Sequence, residues 1–272
     1  MTRLEQDTRL TGADGHFQAN LHPQWQVWFP NGGYMAAMLL RAIGQTSKFD
    51  TPLSFCCHFL SVPKLGEVNI EVVSIKKTRN AESLTFNMTQ SGKPIIQGMA
   101  WTGQRVTGYV HDELQMPSVP HYAELIPTSE MEGAYNPQSF WAHMEQRPVA
   151  GNVHWLMSEQ TEAIQQDWLR FASADLDDSA FLSAGRYLVI LDSFGWPAAA
   201  RRHVGDARFI APTLALSVDF HRIYRDHWML LDCHAPLSEA GYLKVQNSLW
   251  SEDGRCLATG MATLMCRPRP GQ

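Results

Sequence analysis

Two tracts of the chain are built of short runs rich in β-branched and aromatic residues, each closed by a turn signal. The first starts at Leu53 and has turns at 63–66, 79–82 and 91–93; the second starts at Thr213 and has turns at 224–227, 238–241 and 252–254. Each predicts a four-stranded antiparallel meander. Ahead of the first lies "FPNGGYMAAMLLRA", in which Met35 to Leu40 are apolar without interruption. A helix lacking a polar stripe needs cover on most sides. The run ends at Arg41, short of the ~20 residues a membrane span requires, so the sequence predicts a buried helix starting near Asn31.

A second helix-length apolar segment, "GRYLVILDSFGWPAAARR", precedes the second meander, with a start expected near Arg186 and a bend or stop at Gly195 and Pro197. The spacing from Phe59 to Gly98-Met99-Ala100 is almost that from Phe220 to Gly260-Met261-Ala262. An internal repeat explains both matches. The expected fold class is α+β: two tandem units, each a curved antiparallel sheet wrapped around a central helix, with sheet edges buried against each other. The boundaries fall at 1–105, 106–150 and 151–272. The middle segment, carrying Pro117, Pro120, Pro127, Pro137 and Pro148, reads as an irregular connection that Tyr135, Phe140 and Trp141 pack onto the surface. Residues 154–173 read as two outer strands, or as a strand and a short helix.

Composition narrows the function. A net charge of -5, with 44% apolar and 18% charged residues, fits a globular protein acting on small molecules and argues against nucleic acid. The N-terminal residues show no apolar signal segment, so a cytoplasmic location is expected. Cys56, Cys57, Cys233, Cys256 and Cys266 have no CxxC spacing and read as reduced core thiols. Neither the cysteines nor the histidines have metal-ligand spacing, and no metal or other cofactor is expected. A GxSxG nucleophile elbow, a P-loop and GxGxxG are all absent.

The segments "WFPNGGYMAAMLLRA", "CCHFLSVPKLGE", "SGKPIIQGMAW", "LDSFGWP", "TLALSVDFHR" and "GYLKVQNSLWSEDGRCLATG" follow one another as in the double hot-dog acyl-CoA thioesterases of the thioesterase II type, and the chain resembles these and, more closely, their thioesterase-like bacterial relatives. The resemblance implies two hot-dog domains and hydrolysis of an acyl-CoA by a water that an Asp, a Thr or Ser, and a Gln of the second domain direct. Carried over, the Asp falls on Asp192 and the hydroxyl on Thr213, whereas the Gln position falls on Ala262.

The residues themselves allow further readings. Asp192 follows the apolar run Tyr187 to Leu191, where a carboxylate needs partners or a shifted pKa; as an alternative, Asp192 or Ser193 caps a helix starting near Pro197. Period two in "TLALSVDF" turns Thr213 away from the leucine side and onto the face of Ser217 and Asp219, whose members would then be rival candidates. Gly32 and Gly33 either aim helix-start amides at the thioester oxygen or provide close packing. Asn31, Tyr34 and His58 are the side chains expected to meet substrate, with Tyr34 closing an acyl tunnel or serving as core. The clusters Arg201-Arg202-His203 and Lys76-Lys77-Arg79 are candidates for CoA phosphates, with no assignment made. An acyl-CoA or lipid-like binding protein without hydrolysis is the rival function, motivated by Ala262. Exposed outer sheet faces favour a homo-oligomer over a monomer.

Overall fold

The computed structural model describes residues 4–133, 140–172, 179–206, 208–224 and 228–269. A short helix α1 (Leu4–Asp7) and strands β1 (Thr11–Ala13) and β2 (His16–Leu21) lead into helix α2 (Gly32–Thr46). Strands β3 (Thr51–Phe59), β4 (Gly66–Lys77), β5 (Ala81–Gln90) and β6 (Lys93–Gly103) complete the first half. The second half holds β7 (Met144–Pro148), β8 (Ile164–Phe171), α3 (Ala180–Ser193), α4 (Gly195–Ala200), β9 (Phe209–Ile210) and β10 (Thr213–Phe220). It ends with β11 (Met229–Glu239), β12 (Tyr242–Ser251), β13 (Cys256–Met265) and β14 (Arg267–Pro268).

Twelve of the strands form one antiparallel sheet in the order β1-β2-β4-β5-β6-β3-β10-β13-β12-β11-β8-β7. The order is mirrored about the β3–β10 junction, so β2, α2, β3, β4, β5 and β6 correspond in turn to β8, α3, β10, β11, β12 and β13. At that junction Phe55 pairs with Val218 and Cys57 with Leu216. Each half thereby covers the other's open edge, which an exposed central strand would leave available to foreign chains.

The two central helices run antiparallel and touch along their length through small residues. A Cβ on Gly33 would stand 2.4 Å from the Leu188 carbonyl oxygen, one on Gly185 3.2 Å from the Ala37 Cβ, and one on Gly44 2.5 Å from the Phe181 ring. α2 starts where expected: the Asn31 side chain caps it by accepting from the Tyr34 N–H at 2.8 Å. α3 starts at Ala180 and not near Arg186, because Ser179 caps it by accepting from the Leu182 N–H. Gly185, which looks like a boundary in the sequence, lies inside this helix as its contact point with α2. α3 ends at Ser193, ahead of Gly195 and Pro197. The Nδ2 of Asn247 on β12 donates to the Leu191 carbonyl at 2.8 Å and satisfies one of the last carbonyls of α3.

Tyr135 and Pro137 lie outside the described residues, as do three of the four turn residues 224–227. Elsewhere the connection is anchored: Tyr122 stacks on Trp228 at 4.5 Å, Trp168 donates to the Pro120 carbonyl, and Phe140 is buried. Its Met144–Pro148 segment is regular and pairs with β8 as the outermost strand of the second half. Of residues 154–173, the described ones, 154–172, hold a single 3-10 turn, His154–Leu156, and then β8. Among the described residues no helix is long and apolar enough to cross a membrane.

Candidate active site

Asp192 occupies the last turn of α3 and points at the first turn of α2. Its Oδ2 accepts from the Gly33 N–H at 2.8 Å, where orphan amides and the helix dipole favour an anion. Its Oδ1 is buried and has no hydrogen-bond partner. Burial pushes the carboxyl up to about 6, against the lowering effects of the Thr213 hydroxyl and the Gly33 amide. The capping alternative is not realised, because Phe194 is the N-cap of α4 and no side-chain bond caps that helix.

Thr213 reaches this carboxylate because β10 carries a bulge. Thr213 pairs with Leu264 and Ala215 with Thr263, leaving Leu214 as the extra residue. The bulge breaks the alternation expected from the sequence and turns Thr213 to the core side, the side of Leu216 and Ala262. Ser217 and Asp219 stay on the outer sheet face, where they line a separate shallow groove with Asp232 and His234.

A cavity of about 720 Å³ opens beside Asp192. Asn31, Gly32, Met35, Phe59, Asp192, Ser193, Trp196, Thr213 and Leu264 belong to its wall. Asn31 donates through Nδ2 to the Ser193 hydroxyl at 3.2 Å, which itself donates to the Val189 carbonyl at 2.6 Å. Of the two glycines, Gly33 has its amide committed to Asp192, whereas the Gly32 N–H has no acceptor among the described residues and lies in the cavity wall. Both glycines are also required by packing. A Cβ on Gly32 would stand 2.6 Å from the Asp192 Oδ2 and 2.8 Å from the Phe59 ring.

Two expected substrate contacts lie elsewhere. Tyr34 is fully buried, stacks on Trp25 at 4.9 Å and donates its hydroxyl to the Asp7 carbonyl at 2.7 Å, so it is core and closes no tunnel. His58 is exposed on the outer face of β3, opposite to its neighbours Cys57 and Phe59. The basic clusters contribute no side chain to the cavity wall either. Arg201 is buried and donates to the Gln165 side chain at 2.6 Å, Lys77 is paired with Glu82 at 3.2 Å, and Lys76, Arg79, Arg202 and His203 are exposed. Among the described residues, the cations in the cavity wall are Lys93, Arg267 and Arg269. The sequence does not join them, since Lys93 lies far from the Arg267/Arg269 pair and only the folding of β6 and the C-terminal strand brings them to one opening. Ala262 pairs with Leu216 and is absent from the wall, where Leu264, the residue opposite Thr213, presents an aliphatic surface.

The two halves of the sheet coincide with two matches to known family models. The acyl-CoA thioesterase N-terminal domain matches residues 21–103, and the acyl-CoA thioesterase C-terminal domain matches residues 120–265. The chain belongs to the acyl-CoA thioesterase family. No curated protein matches the sequence. Among solved structures, a conserved hot-dog protein of unknown function from Alicyclobacillus acidocaldarius is 22% identical, with a TM-score of 0.83 over 98% of this chain and 99% of its own. A thioesterase II assignment is carried by a Thermobifida fusca protein, 18% identical, TM-score 0.83, with all of both chains covered. The acyl-CoA thioesterase II of Mycobacterium marinum is 17% identical, TM-score 0.80, over 99% and 100% of the two chains. These likenesses establish the fold of the family member described here as two tandem hot-dog domains.

Proposed function

We propose that the protein hydrolyses acyl-CoA thioesters, with a water held between Asp192 and Thr213. The observation that carries this reading is the buried, unpartnered Oδ1 of Asp192 beside the cavity. Above about pH 6 the carboxylate is ionised and takes a proton from the water as its oxygen adds to the thioester carbonyl carbon. The negative charge that develops on the carbonyl oxygen is received by the Gly32 N–H, a fixed donor at a helix start. Collapse of the tetrahedral intermediate breaks the C–S bond. The proton held by Asp192 then goes to the departing thiolate, giving free acid and CoA. Units of 1–105 and 151–272 fit this reading once the segment of β7 is added to the second.

Thr213 acts by holding the water and by favouring the ionised carboxylate. In Thr213→Val the Asp192 pKa should rise further, because the lowering effect of the nearby hydroxyl on the carboxyl is removed. The acid limb of the pH–rate profile should therefore move above about 6, with kcat reduced about tenfold; an unmoved limb would remove Thr213 from the site.

Lys93 and Arg267 are exposed at the cavity opening and supply positive charge for the CoA phosphates. The double variant Lys93→Glu, Arg267→Glu should raise KM about tenfold with kcat little changed, and added salt should shrink the difference. An unaltered KM at low salt would place the phosphates elsewhere.

The aliphatic Leu264 opposite Thr213 favours a second reading: binding of acyl-CoA without hydrolysis. Binding by calorimetry in the absence of thiol release would select it. A row of outward-facing residues, Val73, Thr85, Met99, Cys56, Ser217 and Met261, crosses both halves on the outer sheet face. The exposure of Val73, Met99 and Met261 there supports a homo-oligomer, which light scattering reads directly.

A further inference from the structure

We infer that the acyl group is compact, a short chain or a single ring, and that Met35 sets its length; this rests on the thioesterase reading above. Asp192 lies in the cavity wall at the first turn of α2, with its Oδ1 buried. From α2 only Gly32 and Met35 reach the wall, and from α3 only Asp192 and Ser193. Because the helices are antiparallel, those two turns are neighbours, and along α2 and α3 the cavity therefore reaches one helical turn.

Behind that turn the space is filled. Met38 and Leu39 are fully buried, and the helix backbones meet where a Cβ on Gly33 would stand 2.4 Å from the Leu188 carbonyl oxygen. An extended chain thus has no path along the helices. The open end is defined by the exposed cations Lys93 and Arg267, which suit the phosphates and direct the acyl group inward. The inner surface beside Asp192 is apolar. The Phe59 ring lies within 2.8 Å of a Cβ built on Gly32, and Met35 and Leu264, both nearly buried, complete the floor. A methylene that finds apolar space gains about fourfold in binding, whereas one that meets this floor gains nothing. The unbranched Met35 side chain closes the end and is the piece that a smaller residue would open.

The test is kcat/KM for butyryl-, benzoyl-, octanoyl- and dodecanoyl-CoA, read as thiol release with wild type and with Met35→Ala and Met35→Val. Wild type should use butyryl- or benzoyl-CoA at least tenfold better than dodecanoyl-CoA. Met35→Ala should raise the octanoyl-to-butyryl ratio about tenfold, and Met35→Val by less. The ratio within one preparation is independent of the fraction folded. Equal use of dodecanoyl- and butyryl-CoA by wild type, or an unchanged ratio in both variants, would overturn the inference. If no thioester releases thiol, the thioesterase reading fails, and the inference is then read from calorimetry with S-butyl-CoA and S-dodecyl-CoA. Tighter binding of the butyl compound by wild type, with the order reversed or levelled in Met35→Ala, supports it; tighter dodecyl binding by wild type overturns it.

Discussion

Asp192→Asn should lose about 100-fold or more in kcat and at the same time melt at a higher temperature than wild type at pH 7. The loss follows because an amide cannot take the water's proton. The gain in stability follows from linkage. The folded-state value of Asp192, about 6, lies above its ordinary 3.8, so the ionised form destabilises the fold above about pH 6. A shift of that size corresponds to about 3 kcal/mol at pH 7. As the pH falls through 6 towards 4 the carboxyl becomes neutral in the folded protein and the penalty disappears, so wild type and variant should converge below about pH 4. The variant keeps an oxygen to accept from the Gly33 N–H, and Asn caps helices as well as Asp does. A carboxylate serving only as a helix cap would give the opposite pattern, an unchanged rate with a lower or equal melting temperature. Thermal melts at pH 4 and pH 7, together with rates at pH 7, separate the two.

Gly33→Ala is expected to destabilise the protein despite improving helix propensity. In an exposed helix the exchange would stabilise by up to about 1 kcal/mol. Here the new Cβ would stand 2.4 Å from the Leu188 carbonyl oxygen and 2.6 Å from the Val189 Cα, both backbone atoms of a helix held on its other sides by sheet. Overpacking of this kind costs about 1 to 3 kcal/mol, so the clash outweighs the propensity. The melting temperature should fall by several degrees. Activity should fall as well, because the same displacement lengthens the Gly33–Asp192 hydrogen bond. A melting temperature equal to or above that of wild type would show that α2 and α3 are not in contact at this point.

The repeat was legible because each half carries the same order of apolar helix and turn-punctuated strands, and the paired edges of β3 and β10 realise its symmetry. Asp192 was legible for a physical reason too: a carboxylate after Tyr187 to Leu191 has to be partnered or shifted, and it is both. The orientation of Thr213 was not legible, since one extra residue, Leu214, inverts a period-two reading and a bulge leaves no signature in a run of strand-forming residues. The start of α3 was hidden by Gly185, whose packing role against Ala37 becomes visible only with both helices in place. Tyr34 and His58 are each one or two positions from a cavity residue, and the helix and strand periods direct them to the core and to the outer face. Lys93 and Arg267 are far apart in sequence, and no local pattern joins them.

Steady-state thiol release by wild-type protein from short, aromatic and long acyl-CoAs, followed from pH 4.5 to 8, bears most directly on the central claim. Stoichiometric free CoA and acid, with kcat rising through an acid limb near pH 6 that belongs to Asp192, is the expected result. No release above the uncatalysed rate from any acyl-CoA, while the same compounds bind by calorimetry, would contradict it.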